Sequence, residues 1–366
     1  MSPTFRLLAA SLLLASGACA QAPVAPAPSA VSPASPRVLA EAFVSELTPE
    51  DNIDSVAVWT SPEGDPWAIA TAKSTDRLVV YHGESGATMR TFGTRGDGPG
   101  QFRRPNGIAV IDDLAFVVER DNHRVQVLRL PAFSHVATFG AEDLVKPYGL
   151  WVHRDGDGYA LYVTDSYMAG EDAEGEDILP PLEQLDRRVK RYELRREGAG
   201  LRPRLAEAFG DTSPEGALRV VESIWGDSDH DRLLIAEEDE SYANEFKVYT
   251  LAGRYTGQRV GGDRLASQAE GIALATCAGG GGWWITTEQD RASTVFHLFD
   301  RVSLDHAGKF IGGKVANTDG IWLDQRPSER FPQGALYAVH DDQGLVAFDW
   351  RDIAGALGLD ACEVAP

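Results

Sequence analysis

Pro105-Asn106-Gly107-Ile108-Ala109-Val110, then Ala115-Phe116-Val117-Val118, then Val125-Gln126-Val127-Leu128 set three apolar runs one behind another with short polar turns between them. Runs this short, rich in β-branched residues and bounded by Gly, Asp and Asn, read as strands of a meander. The same order returns along the chain: a small-residue turn, a Gly-Ile/Leu-x-Val-type strand, a strand ending in charge, and a strand ending in Tyr or Phe. It recurs through residues 147–194, 221–251, 269–300 and 317–350, and further strand-like runs at 56–59, 67–71 and 78–81 precede it. About 315 residues at about 50 per unit make six units, the size of propeller blades. The expectation is an all-β, six-bladed β-propeller forming one domain over residues 43–361, with no amphipathic segment of helix length. In such a ring the inner-strand ends converge on a central channel, so side chains far apart in sequence meet on one face.

The composition narrows what such a ring can bind. Of 366 residues 43% are hydrophobic, enough for a packed core, while 34 Lys+Arg against 55 Asp+Glu leave a net charge of -21. Phosphate backbones and anionic membranes are repelled by such a chain, which argues against nucleic-acid binding. A negatively charged substrate needs metal ions or a few well-placed Lys and Arg to be held at all.

Residues 1–20 have the form of an export signal, with Arg6, an apolar stretch from Leu7 to Leu14 and the small residues Ser16-Gly17-Ala18-Cys19-Ala20. Cleavage after Ala20 gives a periplasmic or secreted protein; cleavage before Cys19 would leave a lipid anchor, the only membrane attachment expected. Residues 21–42, rich in Ala, Pro and Ser, read as a flexible spacer. Cys277 and Cys362 are then the cysteines left to pair in an oxidising compartment. The domain is expected to be a monomer.

Leu233-Leu234-Ile235-Ala236 runs straight into Glu237-Glu238-Asp239-Glu240, a buried strand delivering carboxylates to the rim of a sheet. Glu222, Glu270 and Asp319 each open an inner-type strand at the same place in successive repeats, in Glu222-Ser223-Ile224, Glu270-Gly271-Ile272 and Asp319-Gly320-Ile321. A ring of carboxylates repels itself unless cations fill it, and an all-oxygen donor set suits Ca2+. No nucleophile elbow, His-Glu-x-x-His, P-loop or dinucleotide fingerprint is present, and the histidines, among them His82, His123 and His153, lack ligand spacing. Asp155-Gly156-Asp157-Gly158 reads as a hairpin turn, and the acidic insertion 168–181 as a surface loop or a lid.

Two resemblances follow from these residues. Phe92-Gly93, Gly96-Asp97-Gly98-Pro99-Gly100-Gln101-Phe102, Pro105-Asn106-Gly107-Ile108 and Asp121-Asn122-His123-Arg124-Val125 resemble an NHL repeat, a blade common in non-enzymatic scaffolds. Over nearly the whole domain the chain resembles the β-propeller phytases (3-phytases). The resemblance is carried by Leu234-Ile235-Ala236-Glu237-Glu238-Asp239-Glu240, Ala269-Glu270-Gly271-Ile272, Asn317-Thr318-Asp319-Gly320-Ile321, Arg330-Phe331-Pro332-Gln333-Gly334 and Phe348-Asp349-Trp350-Arg351-Asp352. It implies a calcium-dependent phosphomonoesterase acting on phytate, myo-inositol hexakisphosphate. It further implies Asp54, Glu222, Glu238 and Glu270 as Ca2+ ligands, with Asp51, Glu237 and Asp319 as ligands or neighbours and Tyr148 in the metal site. Lys73 and Arg120 would contact phosphate, Gln289 would donate to it, and Glu222, Glu238, Lys73 and Arg120 would carry the catalysis. The chain differs from the family pattern in Asp54-Ser55, which replaces a carboxylate pair, and in Asp165-Ser166-Tyr167, which replaces a Lys-Glu pair. Two other functions share these residues: a non-catalytic propeller that binds a ligand or protein, and a calcium-dependent lactonase.

Overall fold

The computed structural model describes residues 35–198 and 200–359. The export signal at 1–20, Cys19 and Cys362 lie outside them; Cys277 is disulfide-bonded.

Among the described residues the strands gather into six antiparallel blades in chain order. Blade 1 runs Ile53–Thr60, Pro66–Ala72, Arg77–His82 and Thr88–Phe92; blade 2 runs Pro105–Ile111, Leu114–Glu119, Arg124–Arg129 and Ser134–Phe139. Blade 3 runs Pro147–Asp155, Gly158–Asp165, Val189–Glu197 and Gly200–Phe209, and blade 4 runs Ile224–Asp227, Arg232–Glu237, Glu245–Tyr249 and Tyr255–Gly261. Blade 5 holds Gln268–Thr276, Gly282–Gln289, Val295–Asp300 and His306–Gly312; blade 6 holds Ile321–Asp324, Ala335–His340 and Gly344–Asp349. Phe43–Val44 supplies the outer strand of blade 6, with Phe43 opposite Ala347, so the ring is closed by its own N-terminal end.

The domain starts before residue 43. Arg37–Leu39 pairs in parallel with His306–Gly312 and widens blade 5, so residues 37–39 of the stretch expected to be spacer belong to the sheet. A short helix also appears, Trp350–Leu357, capped by the Asp349 carboxylate accepting from Arg351 N and ended by Gly358 in the left-handed region. It is a short amphipathic helix that buries Trp350 and Ile353 against blades 5 and 6 and leaves Arg351 and Asp352 exposed, and that packing is why only eight residues hold a helical form.

Packing explains why the strands differ in pattern. The second strands of blades 2 and 3, Leu114–Glu119 and Gly158–Asp165, are buried throughout, because both faces are covered by the neighbouring blades. Apolar layers fill each of the interfaces around the circle: blades 6 and 1 around Ile53 and Tyr337, 1 and 2 around Trp59 and Phe116's neighbour Val117, 2 and 3 around Phe116 and Tyr192. The layers between 3 and 4, 4 and 5, and 5 and 6 centre on Trp151, Trp284's partner Phe246, and Phe348. At the hub the inner strands leave a cavity of about 50 Å³ lined by Val56, Ile108, Leu150, Ile224, Ile272 and Ile321. Trp225 and Trp322 meet edge-on there, with ring centroids 5.1 Å apart.

Candidate metal centre

The register of first against second strand puts one residue of each blade at the same height above this aliphatic hub. Val56 pairs Ala70, Ile108 pairs Val117, Leu150 pairs Val163, Ile224 pairs Ile235, Ile272 pairs Thr286 and Ile321 pairs Ala338. Two residues before each aliphatic come Asp54, Asn106, Tyr148, Glu222, Glu270 and Asp319. The residue between is Gly in four blades and Ser in blades 1 and 4, and for the glycines the reason is steric. A Cβ on Gly149 would stand 2.1 Å from Glu222 O, one on Gly271 2.6 Å from Asp319 O, and one on Gly107 2.5 Å from Tyr148 O. Each small residue lets the next blade's backbone approach, which draws the ring tight. Gly149→Ala is expected to cost about 3 kcal/mol through overpacking and to lower the melting temperature, read by calorimetry.

A second tier comes from the rim end of each second strand: Lys73, Arg120, Ser166, Glu238 and Asp341 directly follow it, and Gln289 is its last residue in blade 5. Of these, Lys73, Glu238 and Gln289 turn into the ring. Lys73 Nζ lies 2.6 Å from Asp54 Oδ1, 3.8 Å from Asp319 Oδ2 and 3.4 Å from the Tyr148 hydroxyl, which donates to Asp54 Oδ1 at 3.1 Å. Gln289 Nε2 donates to Asp319 Oδ1. Opposite this cation, carboxylate oxygens of Glu222, Glu238 and Glu270 lie within 4.8 Å of one another.

Like charges this close and this buried resist ionisation. Burial, then Glu270 and Glu222, push the Glu238 carboxyl well above the usual carboxylate range; burial, then Asp319 and Glu222, do the same to Glu270. Burial and Asp54 push Glu222 up to about 7, against the opposing pull of Lys73. Burial and Asp54 also raise Asp319, and Tyr148 is held protonated by burial and by the surrounding carboxylates. Burial alone would lower Lys73, but Asp54 and Asp319 outweigh it and hold its ammonium charged far above neutral pH.

The donor set fits a hard divalent cation. Glu238 Oε1 accepts from Ser223 N at 3.1 Å, while its Oε2 is buried without a partner, as are both side-chain amide atoms of Asn106. Buried polar atoms are normally satisfied, and of these orphans Glu238 Oε2 and Asn106 Oδ1 are hard oxygen donors that a Ca2+ ion would complete, while Asn106 Nδ2 is a donor that it would not.

Lys73, Asp54, Tyr148, Glu222, Glu238, Glu270, Gln289 and Asp319 therefore come together, and three expected site residues do not. Glu237 alternates with Glu238 along the strand and points the other way, where it accepts from Lys247 Nζ at 3.0 Å and from Arg219 N and Val220 N. It belongs to a set of pairs inside the blades, with Glu119–Arg124, Asp165–Lys190 and Glu288–His297 at the same position. Asp51 plays that part in blade 1, where the strand itself offers only Ala72: its carboxylate is held by Arg77 and Thr75. Arg120 occupies the same backbone place as Lys73, but its guanidinium is paired with Asp121 at 2.7 Å and faces a cleft outside the ring.

The ring also contains residues that the sequence reading passed over. Asn106 holds the blade 2 place in it, its side-chain amide buried without a partner, and Arg104, whose Nε is also buried without a partner, lies close enough to Glu222 to lower its pKa. Asp342 hydrogen-bonds Asp319 and is itself raised by burial. The pattern of polar residue, Gly or Ser, aliphatic residue recurs in all six blades and would have found Asn106.

No protein-family model matches the chain, and no curated protein matches its sequence. Among solved structures it is similar to Kuenenia stuttgartiensis hydrazine synthase, at 12% identity over 86% of this chain and 81% of that one, TM-score 0.46. It is also similar to the Cps50 (Swd1) β-propeller domain of Myceliophteria thermophila, at 10% identity over 81% of this chain and 97% of that one, TM-score 0.46. At those values neither adds to the architecture read from the sheets themselves, and the fold that the chain has is a six-bladed β-propeller.

Proposed function

We propose that this chain is an exported, calcium-dependent phosphomonoester hydrolase of the β-propeller phytase type. The observation that carries the proposal is the convergence of Glu222, Glu238 and Glu270 beside the Lys73–Asp54–Tyr148 cluster, with Glu238 Oε2 left unpartnered. Asp54, Glu222, Glu238, Glu270 and Asp319 would hold Ca2+, with Asn106 as a neutral donor. Bound calcium supplies charge neutralisation for phosphoryl oxygens and a water of lowered pKa. The chain's own residues do the rest. Lys73 stays cationic and offers a fixed charge to a phosphate oxygen; Gln289 Nε2 and the Tyr148 hydroxyl are donors at the same level. Arg104 brings a second cation with an unused N–H beside Glu222.

Asn106 favours a second reading, a calcium-dependent lactonase, because a neutral donor suits a site for an uncharged ester. Lys73→Met separates the two. It is expected to lower kcat/KM for a phosphomonoester by about 30-fold, near 2 kcal/mol, because a charge-assisted contact is lost. A lactonase would be spared. The primary assay is phosphate release from phytate and from p-nitrophenyl phosphate by the mature protein, with calcium and after chelation. Folded, calcium-loaded protein that releases none from either would turn the reading to a ligand-binding propeller.

A further inference from the structure

The insertion between the second and third strands of blade 3 leaves the same face as the metal ring, since it starts directly after Asp165-Ser166. It folds as a hairpin, with Gly170–Glu171 pairing Asp177–Ile178. Its outer end, residues 171–177, carries Glu171, Asp172, Glu174, Glu176 and Asp177. Asp172 serves the hairpin itself, its Oδ1 accepting from Glu174 N and Glu176 N. The rest face outward or across a cleft of about 640 Å³ shared with Arg120, His123 and Lys146.

In that cleft each cation is already answered by the chain. Lys146 Nζ is 2.6 Å from Asp177 Oδ2, Arg120 is held by Asp121, and His123 Nδ1 meets Val145 O at 2.6 Å. Lys190, the next cation inward, is buried against Asp165 at 2.6 Å. A ligand with one anionic group can use the ring and Lys73 alone. A ligand with several reaches beyond the ring, and on the side of blades 2 and 3 its further anions meet Glu171 and Glu176 beside cations that are already paired.

We infer that the acidic hairpin 168–181 is a charge filter that restricts the site to esters bearing a single phosphate and turns away polyanionic substrates. The inference rests on the phosphomonoester reading of the ring and names its substrate class. It makes phytate itself a poor substrate and a phosphate on an otherwise uncharged alcohol a good one. Specificity of this kind comes from a repulsive element, not from an added attraction.

The test uses the full, calcium-loaded chain and the variant Glu171→Gln/Glu176→Gln/Asp177→Asn, which keeps the Asp172 turn and frees Lys146. Turnover and equilibrium binding are measured for glucose 6-phosphate and glucose 1,6-bisphosphate. The variant is expected to gain about tenfold in affinity and kcat/KM for the bisphosphate and less than about twofold for the monophosphate, with the gain fading in high salt. Asp155→Asn/Asp157→Asn/Glu197→Gln, the same charge change on the opposite face, should leave the ratio unchanged. An equal gain for both ligands, no gain for the bisphosphate, an equal effect of the opposite-face variant, or no binding of either ligand would overturn the filter. Shifted binding selectivity with no turnover in any form would retire the hydrolase reading and leave the filter standing.

Discussion

Glu238→Gln is expected to abolish calcium-dependent phosphate release and, in the same molecule, to raise the melting temperature of the metal-free protein. Both effects come from one carboxylate. Its Oε1 is fixed by Ser223 N, so the side chain is already aimed, and its Oε2 has no partner. Glutamine keeps the first contact through its carbonyl oxygen and puts an NH2 group where the second carboxyl oxygen faced Glu222 and Glu270, so that one fewer group must be ionised against its neighbours as pH rises. The gain for the metal-free form is about 1–2 kcal/mol. The loss for calcium is larger, because a charged ligand disappears from the middle of the donor set; affinity by titration calorimetry is expected to fall at least about 100-fold. A variant that keeps the native calcium response would remove Glu238 from the centre, and one that melts lower without metal would mean the cluster is not strained by its own charge.

The second large effect is the dependence of stability on pH and on calcium together. Glu222, Glu238, Glu270 and Asp319 all have folded-state pKa values raised above their unfolded values. Between the ordinary carboxylate range and those raised values the folded protein therefore holds more protons than the unfolded chain, and unfolding free energy falls as pH rises. Each excess proton contributes about 1.4 kcal/mol per pH unit to that slope. The metal-free protein is expected to be more stable near pH 5 than near pH 8, with Glu222 titrating at about 7 inside that window. Calcium needs the deprotonated ligands, so it acts in the opposite sense. At 100 times its dissociation constant it adds about 2.7 kcal/mol, or about 4 °C for a domain of this size, near pH 8 and much less near pH 5. Thermal melts at the two pH values with calcium and with chelator check this; a calcium shift that does not grow with pH would count against carboxylate ligation.

The blades were legible because their first three strands bury β-branched runs, and the outer strands were not because they bury little. Thr88–Phe92 is almost wholly exposed and carries no alternation to read. In the ring, Glu222, Glu270 and Asp319 announced themselves by charge at a repeated place. Asn106 has the same place without the charge, and Tyr148 entered only through family resemblance. The failures share another cause: sequence position settles where a backbone goes, not which neighbour a long side chain prefers. Arg120 stands where Lys73 stands, yet Lys73 has Asp54 within the ring and Arg120 has Asp121 beside it. Glu237 and Glu238 look alike as neighbours in a string, but the pleat sends them to opposite sides, one to Lys247 and the other to the channel.

The N-terminal closure of blade 6 has a consequence for how the centre comes into being. Phe43–Val44 waits for Gly344–Asp349, which is synthesised some three hundred residues later, as the two register partners Phe43 and Ala347 make plain. Asp54 belongs to the first blade and Asp319 to the stretch just before the last, and Lys73 touches both. A chain made only as far as blade 5 thus holds Glu222, Glu238 and Glu270 but lacks Asp319 and the closed ring. On the calcium reading, metal capture would favour the finished ring, and a lesion that opens the seam between first and last blade would part Lys73 and Asp54 from Asp319 without replacing any residue of the ring.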